Sequence, residues 1–318
     1  MTLITHVNIW VTLMLINLTA IVESFNQPNF CPNALWNPNG STFADSSVIG
    51  SDPWDIFITS NNTIYVPNKN TNYMIVWSSL NSTPIRNISL SPSNSVSVFT
   101  TEDDYMYYTL VTSSINRILR FSVVIMETPS GCFDIFIDIL DNIYCSLDAN
   151  HLILRKTLAN LLNPIKIIAG TGIIGSTSYT LYYPNGIFVD TNLDLYVADS
   201  WNHRIQLFPL DITDGITVAG NTSSTPTITL NYPMTVVLDA NKYLFIVDTY
   251  NHRIVGSNQY GFQCIIGCNG SGSTADQLNK PRSMNFDSFG NIFVCDANNN
   301  RIQKFQLITN SCSKFNRI

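Results

Sequence analysis

Residues 183–210 read YPNGIFVDTNLDLYVADSWNHRIQLFPL, and closely similar stretches follow twice along the chain. Residues 232–256 read YPMTVVLDANKYLFIVDTYNHRIVG, and residues 280–305 read KPRSMNFDSFGNIFVCDANNNRIQKF. Pro184, Pro233 and Pro281, which open the three stretches, are 49 and 48 residues apart. A fixed period of this length indicates a repeat architecture.

Each copy has the pattern of short strands joined by turns. In the first copy the apolar segments are residues 186–189, 195–198, 204–208 and 215–219, and turns rich in Asp and Asn separate the first three. Strands of four or five residues between such turns predict an all-β fold. Four strands in a period of about 40–50 residues are typical of one propeller blade.

Earlier copies are weaker but keep the same spacing. Aromatic residues occupy the aligned second-strand position in all six copies, as Tyr65, Tyr107, Tyr144, Tyr196, Phe245 and Phe293. We therefore predict a six-bladed β-propeller of four-stranded antiparallel blades, which forms one domain over residues 25–318. The repeats lie near residues 53–92, 93–131, 132–172, 183–221, 232–270 and 280–312.

Closure of the ring requires a strand from the other end of the chain. The last copy has room for only three strands before Cys312, whereas residues 33–37 (NALWN) precede the first copy. We predict that residues 33–37 complete the last blade as its outer strand, because a closed ring leaves no long unpaired edge.

These motifs resemble the NHL repeat family. The family motif stands here as NHRI at residues 202–205 and 251–254, and as the variant NNRI at residues 299–302. Three copies match strongly, residues 132–156 match in part, and the first two copies follow from spacing. The resemblance implies a six-bladed β-propeller but no single function, since this fold carries many functions.

The N-terminus has the character of a secretion signal. Residues 1–22 contain no Lys, Arg, Asp or Glu, and residues 9–22 are nearly all apolar. Small residues near position 24 suit cleavage by signal peptidase, so residues 1–24 are predicted to be a signal peptide. The protein is expected to be secreted, with no membrane insertion after cleavage. The alternative is an uncleaved signal anchor that tethers it to a membrane.

Seven cysteines without a CxxC pair or zinc spacing favour disulfides in a secreted chain. We expect the pairs Cys31–Cys312, Cys132–Cys145 and Cys264–Cys268, with Cys295 left as a buried free thiol. Seven cysteines allow many other pairings. Sequons for N-linked glycosylation begin at Asn39, Asn61, Asn81, Asn87, Asn221 and Asn269.

Three histidines, His151, His203 and His252, occupy the same repeat position. Three histidines can bind a catalytic zinc ion, but equivalent positions a blade apart are too far apart for ligand bonds of about 2.0–2.1 Å. A structural role is therefore favoured. The pairs Asp199/Arg204, Asp248/Arg253 and Asp296/Arg301 recur five residues apart and are predicted to clasp turns.

Three aromatic residues are candidates for ligand binding. Trp201 and Tyr250 precede the NHRI motif in a turn, where a large ring is not expected to be buried, and Trp54 follows Pro53 at the start of the first copy. Exposed aromatic rings on propeller loops suit contacts with sugars or peptides.

Composition narrows the possible functions. The chain of 318 residues has a net charge of -6 and only 16 Lys and Arg, without a basic cluster, so a nucleic-acid partner is not expected. The sequence contains no Gly-rich phosphate loop, GxSxG elbow or HExxH motif. No pair of carboxylates stands out for acid–base catalysis, and we predict no cofactor. The alternative is a calcium or zinc ion in the channel, which no motif of the sequence supports.

These observations favour a binding module over an enzyme. The ligand, a protein, peptide or glycan, is expected at the channel mouth or across one loop face. The protein is expected to be monomeric. The alternative is a metal-dependent propeller enzyme of the amidating-lyase or lactonase kind, which requires unlike His, Asp, Glu and Asn side chains at the axis.

Overall fold

A computed structural model of the chain describes residues 25–68, 72–78, 81–90, 96–101, 105–111, 116–120, 123–223 and 227–310. The proposed signal peptide therefore lies outside the described residues. None of the helices in the described ranges has the length and apolar character of a membrane-spanning segment.

The chain begins with elements that serve the closure of the ring. They are strand β1 (Leu35–Trp36), strand β2 (Ser41–Ala44) and the one-turn helix α1 (Ser46–Ile49). Asp45 caps this helix, because its carboxylate accepts a hydrogen bond from the backbone N–H of Ser47.

Five consecutive blades follow, each a four-stranded antiparallel sheet. The first blade comprises β3 (Phe57–Ile58), β4 (Ile64–Asn68), β5 (Tyr73–Trp77) and β6 (Arg86–Ser89). The second comprises β7 (Val98–Thr100), β8 (Met106–Val111), β9 (Asn116–Arg120) and β10 (Val123–Thr128). The third comprises β11 (Ile135–Ile137), β12 (Asn142–Leu147), β13 (Leu152–Thr157) and β14 (Lys166–Ala169).

The repeats detected most clearly in the sequence form the remaining blades. The fourth blade comprises β15 (Pro184–Val189), β16 (Leu195–Asp199), β17 (Arg204–Phe208) and β18 (Ile216–Gly220). The fifth comprises β19 (Pro233–Leu238), β20 (Leu244–Asp248), β21 (Arg253–Asn258) and β22 (Gly261–Ile266). The sixth contains β23 (Met284–Phe286), β24 (Ile292–Asp296) and β25 (Arg301–Phe305).

The predicted closure by strand exchange is present, but the predicted strand was wrong. The fourth strand of the last blade is β2, which pairs with β25 through Ser41 and Lys304. Residues 35 and 36 instead pair with a further strand, β26 (Leu307–Thr309), outside the blade. Trp36 explains the difference, since its buried ring packs against Phe30 and Phe245 and cannot lie on the outer edge of a blade.

The first strands of neighbouring blades contact one another around the ring, so these strands line a central channel. Antiparallel order places the turns between second and third strands on one face, here called the mouth face. In the last four blades these turns are short 3₁₀ helices, at Asp148–Asn150, Ser200–Asn202, Thr249–Asn251 and Ala297–Asn299. The turns between first and second strands lie on the opposite face.

Candidate functional site

Six equivalent residues at the starts of the first strands surround the channel axis. We call them the axial ring, which consists of Asp55, Ser97, Asp134, Gly186, Thr235 and Ser283. Gly186 is required at its position, because a Cβ atom there would lie 2.5 Å from the carbonyl oxygen of Met234. The ring thus combines two carboxyl groups with three hydroxyl groups.

Asp55 links three blades. Its Oδ1 atom accepts hydrogen bonds from the backbone N–H of Ile56 at 2.8 Å and from the hydroxyl of Ser283 at 2.7 Å. Its Oδ2 atom accepts a bond from the backbone N–H of Val98 at 3.3 Å. The side chain therefore joins the sixth, first and second blades near the axis.

Asp134 has the same role two blades further along the ring. Its Oδ1 atom accepts hydrogen bonds from the hydroxyl of Ser97 at 2.9 Å and from the backbone N–H of Ile135 at 2.8 Å. Its Oδ2 atom accepts a bond from the backbone N–H of Ile187 at 2.9 Å. Together the two carboxyl groups link the sixth, first, second, third and fourth blades by hydrogen bonds.

The environment of these carboxyl groups disfavours their charged forms. Loss of solvent around Asp134, followed by the charge of nearby Asp55, raises the pKa of Asp134 to about 7. Loss of solvent also raises the pKa of Asp55, although its hydrogen bonds oppose the shift. Because the two groups interact, they titrate as a pair and hold protons at unusually high pH.

The channel is filled on the side of the opposite face. Two residues beyond the axial ring, Phe57, Phe99, Phe136 and Phe188 point to the axis, and the ring of Phe25 lies among the last three. Its centroid is 5.3 Å from that of Phe136 and 5.5 Å from that of Phe188. Phe25 therefore plugs this end of the channel.

A cavity of about 510 Å³ opens above the axial ring on the mouth face. Residues from five blades line it, and the aromatic and charged members are Trp54, Phe133, Asp148, Tyr232, Tyr250, Lys280 and Arg282. The narrower channel space below it has a volume of about 70 Å³ and contacts Asp55 and Asp134. The mouth is thus a closed-ended cup with aromatic walls.

Trp54 forms one wall of the cup. The guanidinium carbon of Arg282 lies 3.8 Å from the centroid of its ring, a cation–π contact. Asp52 fixes this arginine, because its carboxylate lies 2.7 Å from Nη1. Trp54 is consequently half-buried, and Arg282 covers part of the ring that the sequence suggested was exposed.

Tyr250 forms another wall, on the fifth blade. Its ring stacks on that of Tyr232, with centroids 4.9 Å apart and an interplanar angle of 20°. The ammonium of Lys280 lies 5.2 Å from the centroid of Tyr250. Tyr250 remains 46% exposed, as expected for a residue in this turn.

Trp201 lies on the mouth face beside the cup and does not line it. Its ring contacts Tyr182 at 5.3 Å, Tyr183 at 5.6 Å and Tyr232 at 6.0 Å between centroids. It is 49% exposed. Of the three aromatic candidates, the structure therefore places Trp54 and Tyr250 in the cup and Trp201 outside it.

The three Asp/Arg pairs have one geometry. In the fourth blade, Oδ2 of Asp199 accepts hydrogen bonds from Nε of Arg204 and from the side-chain amide of Asn202, both at 2.8 Å. Oδ1 accepts a bond from the backbone N–H of Tyr182 at 2.7 Å. The same contacts recur around Asp248 and Asp296. Each pair thus clasps its turn to the preceding inter-blade loop, away from the cup.

The three histidines connect neighbouring blades. Nδ1 of His151, His203 and His252 accepts a hydrogen bond from the backbone N–H that enters the next blade, at 3.2, 3.0 and 3.0 Å. Asn300 occupies the equivalent position in the sixth blade, and its Oδ1 accepts the N–H of Asp52 at 2.8 Å. Among the described residues, no three His, Cys, Asp or Glu side chains are placed to hold a metal ion.

Within the part of the chain that the structure describes, four cysteines form two disulfide bonds with each other. The sulfur atoms of Cys132 and Cys145 are 2.06 Å apart, and those of Cys264 and Cys268 are 2.08 Å apart. Cys295 is buried and free. Cys312 lies outside the described residues, so its bond to Cys31 stays a prediction. Sγ of Cys31 lies 3.4 Å from the carbonyl oxygen of Asn310, which precedes Cys312 by two residues in the sequence.

All six sequon asparagines are exposed, namely Asn39, Asn61, Asn81, Asn87, Asn221 and Asn269. The side chains of three are already engaged. Oδ1 of Asn61 accepts the Thr63 hydroxyl at 2.9 Å, Oδ1 of Asn81 accepts the backbone N–H of Thr83 at 3.2 Å, and Nδ2 of Asn269 donates to Asp276 at 2.7 Å. Exposure permits attachment of sugars at these positions, and their use stays a prediction.

Sequence reasoning missed two features of the site. It found no acid pair, yet Asp55 and Asp134 meet at the axis although they are 79 residues apart in the sequence. It also gave no role to Arg282. A signal was available in the aligned repeats, because the position of the axial ring differs in residue type from blade to blade while the residue that follows it is apolar in all six.

Comparisons with known proteins agree with the architecture. A model of the NHL repeat family matches residues 181–208. A search of curated protein sequences found no match.

Solved structures show the same fold. An auxiliary nutrient binding protein from Bacteroides thetaiotaomicron aligns with a TM-score of 0.64 and 14% identity, over 91% of this chain and 76% of that one. A streptogramin B lyase aligns with a TM-score of 0.58 and 12% identity, over 84% and 97% of the two chains. A virginiamycin B lyase from Staphylococcus aureus aligns with a TM-score of 0.57 and 13% identity, over 85% of this chain and 98% of that one.

Because the sequence identity is so low, these structures are evidence for the fold alone. The six four-stranded blades identify the chain as a six-bladed β-propeller, and residues 181–208 within it match the NHL repeat.

Proposed function

We propose that the protein is an extracellular binding module that receives a protein, peptide or glycan ligand in the cup on its mouth face. The observation that carries this proposal is the cup itself, a cavity of about 510 Å³ with aromatic walls and a closed end. Ligand pockets typically have volumes of about 300–1,000 Å³, with mostly apolar walls and a few polar groups.

The polar groups of the cup are arranged to orient a ligand. Lys280 and Arg282 present positive charge beside the rings of Tyr250 and Trp54, and Asp148 contributes a carboxylate on another blade. The aromatic faces supply apolar contact area at a low cost in side-chain entropy. This arrangement favours recognition of a defined ligand segment over nonspecific adhesion.

An extracellular location is supported by two disulfide bonds and six exposed sequon asparagines. Disulfides persist in oxidising compartments and are rare in the cytosol. Sugars at the sequons would help to solubilise a surface with only 12% charged residues in the chain. Sequencing the N-terminus of the expressed protein tests this part, with a start near Phe25 expected.

The binding proposal is tested by screening the purified protein against a displayed peptide library and an oligosaccharide array. Trp54→Ala and Tyr250→Ala should weaken binding of any selected ligand about tenfold each, the loss of one well-packed aromatic contact. Tyr260→Ala is the matched control, since Tyr260 is a 79% exposed aromatic on the opposite face. Ligands that bind both cup variants and the parent protein equally would exclude the cup as the binding site.

A second candidate, acid–base catalysis, is favoured by one observation. Asp134 has a pKa of about 7 and contacts the channel space below the cup, as a general acid or base requires. The test is to incubate a selected ligand with the protein and follow its mass. Conversion that Asp134→Asn abolishes would establish an enzyme, whereas an unchanged mass supports the binding module.

A further inference from the structure

The opposite face carries exposed aliphatic side chains on two neighbouring blades. Antiparallel order places the turns between third and fourth strands on this face, together with those between first and second strands. In the third and fourth blades these turns and the adjoining strand β14 project large apolar side chains into solvent. We call the set the aliphatic rim, and it consists of Leu140, Leu161, Leu162, Ile167, Leu210 and Ile212.

Leu162 is the most exposed member of the rim. Its side chain is 94% exposed, and the turn over residues 158–165 contains no Lys, Arg, Asp or Glu. Two hydrogen bonds fix this turn. The backbone N–H of Leu162 donates to Oδ1 of Asn160 at 3.0 Å, and that of Leu158 donates to the carbonyl oxygen of Asp141 at 2.8 Å. The turn therefore holds its leucine in solvent.

The seam between the third and fourth blades joins the two halves of the rim. Ile167, Leu210 and Ile212 line a cavity of about 130 Å³ at this seam. Oδ1 of Asp211 lies 3.4 Å from Nη2 of Arg155, so an ion pair also crosses the seam. The rim is consequently one surface that spans two blades.

The rim lies in a part of the chain without sequons. No sequon begins within residues 88–220, whereas Asn61 and Asn81 lie in turns of the first blade on the same face. Sugars at Asn61 and Asn81 would lie across the ring from the fourth blade and leave the rim uncovered. An exposed apolar patch of this kind marks a contact surface.

The N-terminus of the chain approaches the same face. Phe25 plugs the channel on this side, and the apolar residues 9–22 precede it with only residues 23 and 24 between. An extended chain covers the step from residue 22 to residue 25 in at most roughly 10–11 Å. As an uncleaved anchor in a membrane, residues 9–22 would therefore hold the opposite face against that membrane.

We propose that the aliphatic rim docks the opposite face onto the surface of a zwitterionic lipid bilayer. The leucines of the two turns enter the boundary between headgroups and acyl chains, where binding strength grows with the apolar area that is buried. The cup then faces away from the lipid. This inference concerns a different face from the cup and does not rest on the proposed function.

The charges beside the rim favour a zwitterionic lipid over an anionic one. Lys166, Asp211 and Asp214 are all exposed, so both signs of charge are present. Recognition of anionic lipids requires a cluster of several Lys or Arg residues, which this part of the face does not carry among the described residues.

The composition of the rim also favours lipid over a protein partner. All six of its members are Leu or Ile. The residues that dominate protein interfaces are enriched in Trp, Tyr and Arg, and Leu is under-represented among them. A lipid surface requires apolar area without a matching shape, and protruding aliphatic side chains supply that area.

The first test is flotation of the purified protein with vesicles of phosphatidylcholine. Leu162→Ser combined with Leu210→Ser should lower the partition coefficient at least about tenfold. The matched control is Ile173→Ser with Ile174→Ser, which removes two aliphatic side chains, 71% and 53% exposed, from a loop on the mouth face. It should change partitioning less than twofold. Parent and variants share one N-terminus, so the difference between them reports on the rim, and melting temperatures confirm that each is folded.

The second test locates the rim at the bilayer however tightly the N-terminus is bound. Leu162→Trp places an additional indole at the tip of the rim, and Ile173→Trp places one on the mouth face. Phosphatidylcholine with brominated acyl chains quenches the fluorescence of an indole that it contacts. The emission added by Leu162→Trp should be quenched, whereas that added by Ile173→Trp should not.

The outcomes that would overturn the proposal are distinct. Leu162→Trp emission that brominated lipid leaves unchanged would show that the rim does not enter the bilayer. Equal partitioning of the rim variant and its control would do the same. Dimers that the rim variant dissociates in sedimentation velocity, with no vesicle binding by the parent protein, would assign the rim to a second copy of the chain. None of these results bears on the cup, which Trp54→Ala and Tyr250→Ala test separately.

Discussion

The Nδ1 atom of His203 accepts the backbone N–H of Tyr232 at 3.0 Å, across the seam between the fourth and fifth blades. Tyr232 has a φ of 56°, in the left-handed region, and it precedes a proline, which further restricts its backbone. The hydrogen bond thus fixes a residue whose conformation is intrinsically disfavoured. Lys280 and Tyr183, at φ 48°, are bound in the same way by His252 and His151.

The seams should weaken in mild acid. Burial lowers the pKa of His151 and His252 in the folded protein, so the unfolded chain binds protons first as the pH falls below about 6.5. Their contribution to stability is therefore present above that pH and lost below it. Relative to a variant without these two histidines, we expect the parent protein to lose about 1 kcal/mol for each hydrogen bond between pH 7.5 and pH 5.5. The comparison with a variant is needed because protonation of Asp55 and Asp134, whose pKa values are raised, stabilises the folded protein as the pH falls.

The matched variant is His151→Asn with His252→Asn, because Asn300 performs this role in the sixth blade without titrating. The double variant should lose less stability between pH 7.5 and 5.5 than the parent protein. Thermal unfolding, monitored by circular dichroism, measures how the stability of each protein depends on pH. An equal pH dependence in the two proteins would show that His151 and His252 do not cause the change in stability.

Arg204→Ala should be among the most destabilising single substitutions on the mouth face. The side chains of Arg204 and Asp199 are 2% and 0% exposed, so removal of one partner leaves a buried charge. Such losses cost about 3–5 kcal/mol. Arg117→Ala is the control, since Arg117 and Glu127 form an exposed pair that contributes at most about 1 kcal/mol. Urea denaturation measures the free energy of unfolding of both variants. Similar losses in the two would contradict the proposed role of the Asp199–Arg204 pair in holding its turn.

Phe25→Ala should open the plugged end of the channel. The ring packs against Phe136 and Phe188, and because it is half-buried we expect a cost of about 2 kcal/mol, below that of a core phenylalanine. Amides of β11 and β15 should also exchange faster with solvent. Phe289→Ala provides the comparison, since Phe289 is 68% exposed on the same face. Unchanged exchange in Phe25→Ala would mean that the ring does not seal the channel.

The two disulfides should differ in their resistance to reduction. Cys268 is exposed, whereas Cys132 and Cys145 are 2% and 0% exposed. A mild reductant should therefore open the bond between Cys264 and Cys268 first, because a thiolate must reach a sulfur atom to attack it. Alkylation and peptide mapping over time identify the opened pair. Earlier labelling at Cys132 or Cys145 would refute this order.

Most of the fold could be predicted from the sequence because each repeat contains the residues that form its own turns. Asp199, Asn202 and Arg204 form a local hydrogen-bonded unit, so their recurrence marks each blade without knowledge of distant contacts. The closing strand was misplaced for the opposite reason. Residues 33–37 and 41–44 both suit a short strand, and only long-range packing of Trp36 against Phe245 decides between them.

The candidate site was less predictable because its members come together only when the ring closes. Tyr250 was identified from its turn before the NHRI motif and Trp54 from its place after Pro53, and both line the cup. Asp55 and Asp134 were not identified, because each is an ordinary acidic residue beside its own strand. Their shared environment exists only at the axis, where neighbouring first strands converge.

The position of β2 has a consequence for biosynthesis. Ser41 is made 263 residues before its partner Lys304, and at about 5–20 residues per second its partner arrives roughly 13–53 s later. During that interval the nascent chain holds an unpaired N-terminal segment and an incomplete circle of blades. Such edges invite pairing with other chains. We therefore expect the risk of mispairing to be greatest before the last blade is synthesised, and variants that delay this step should lower the yield of folded protein.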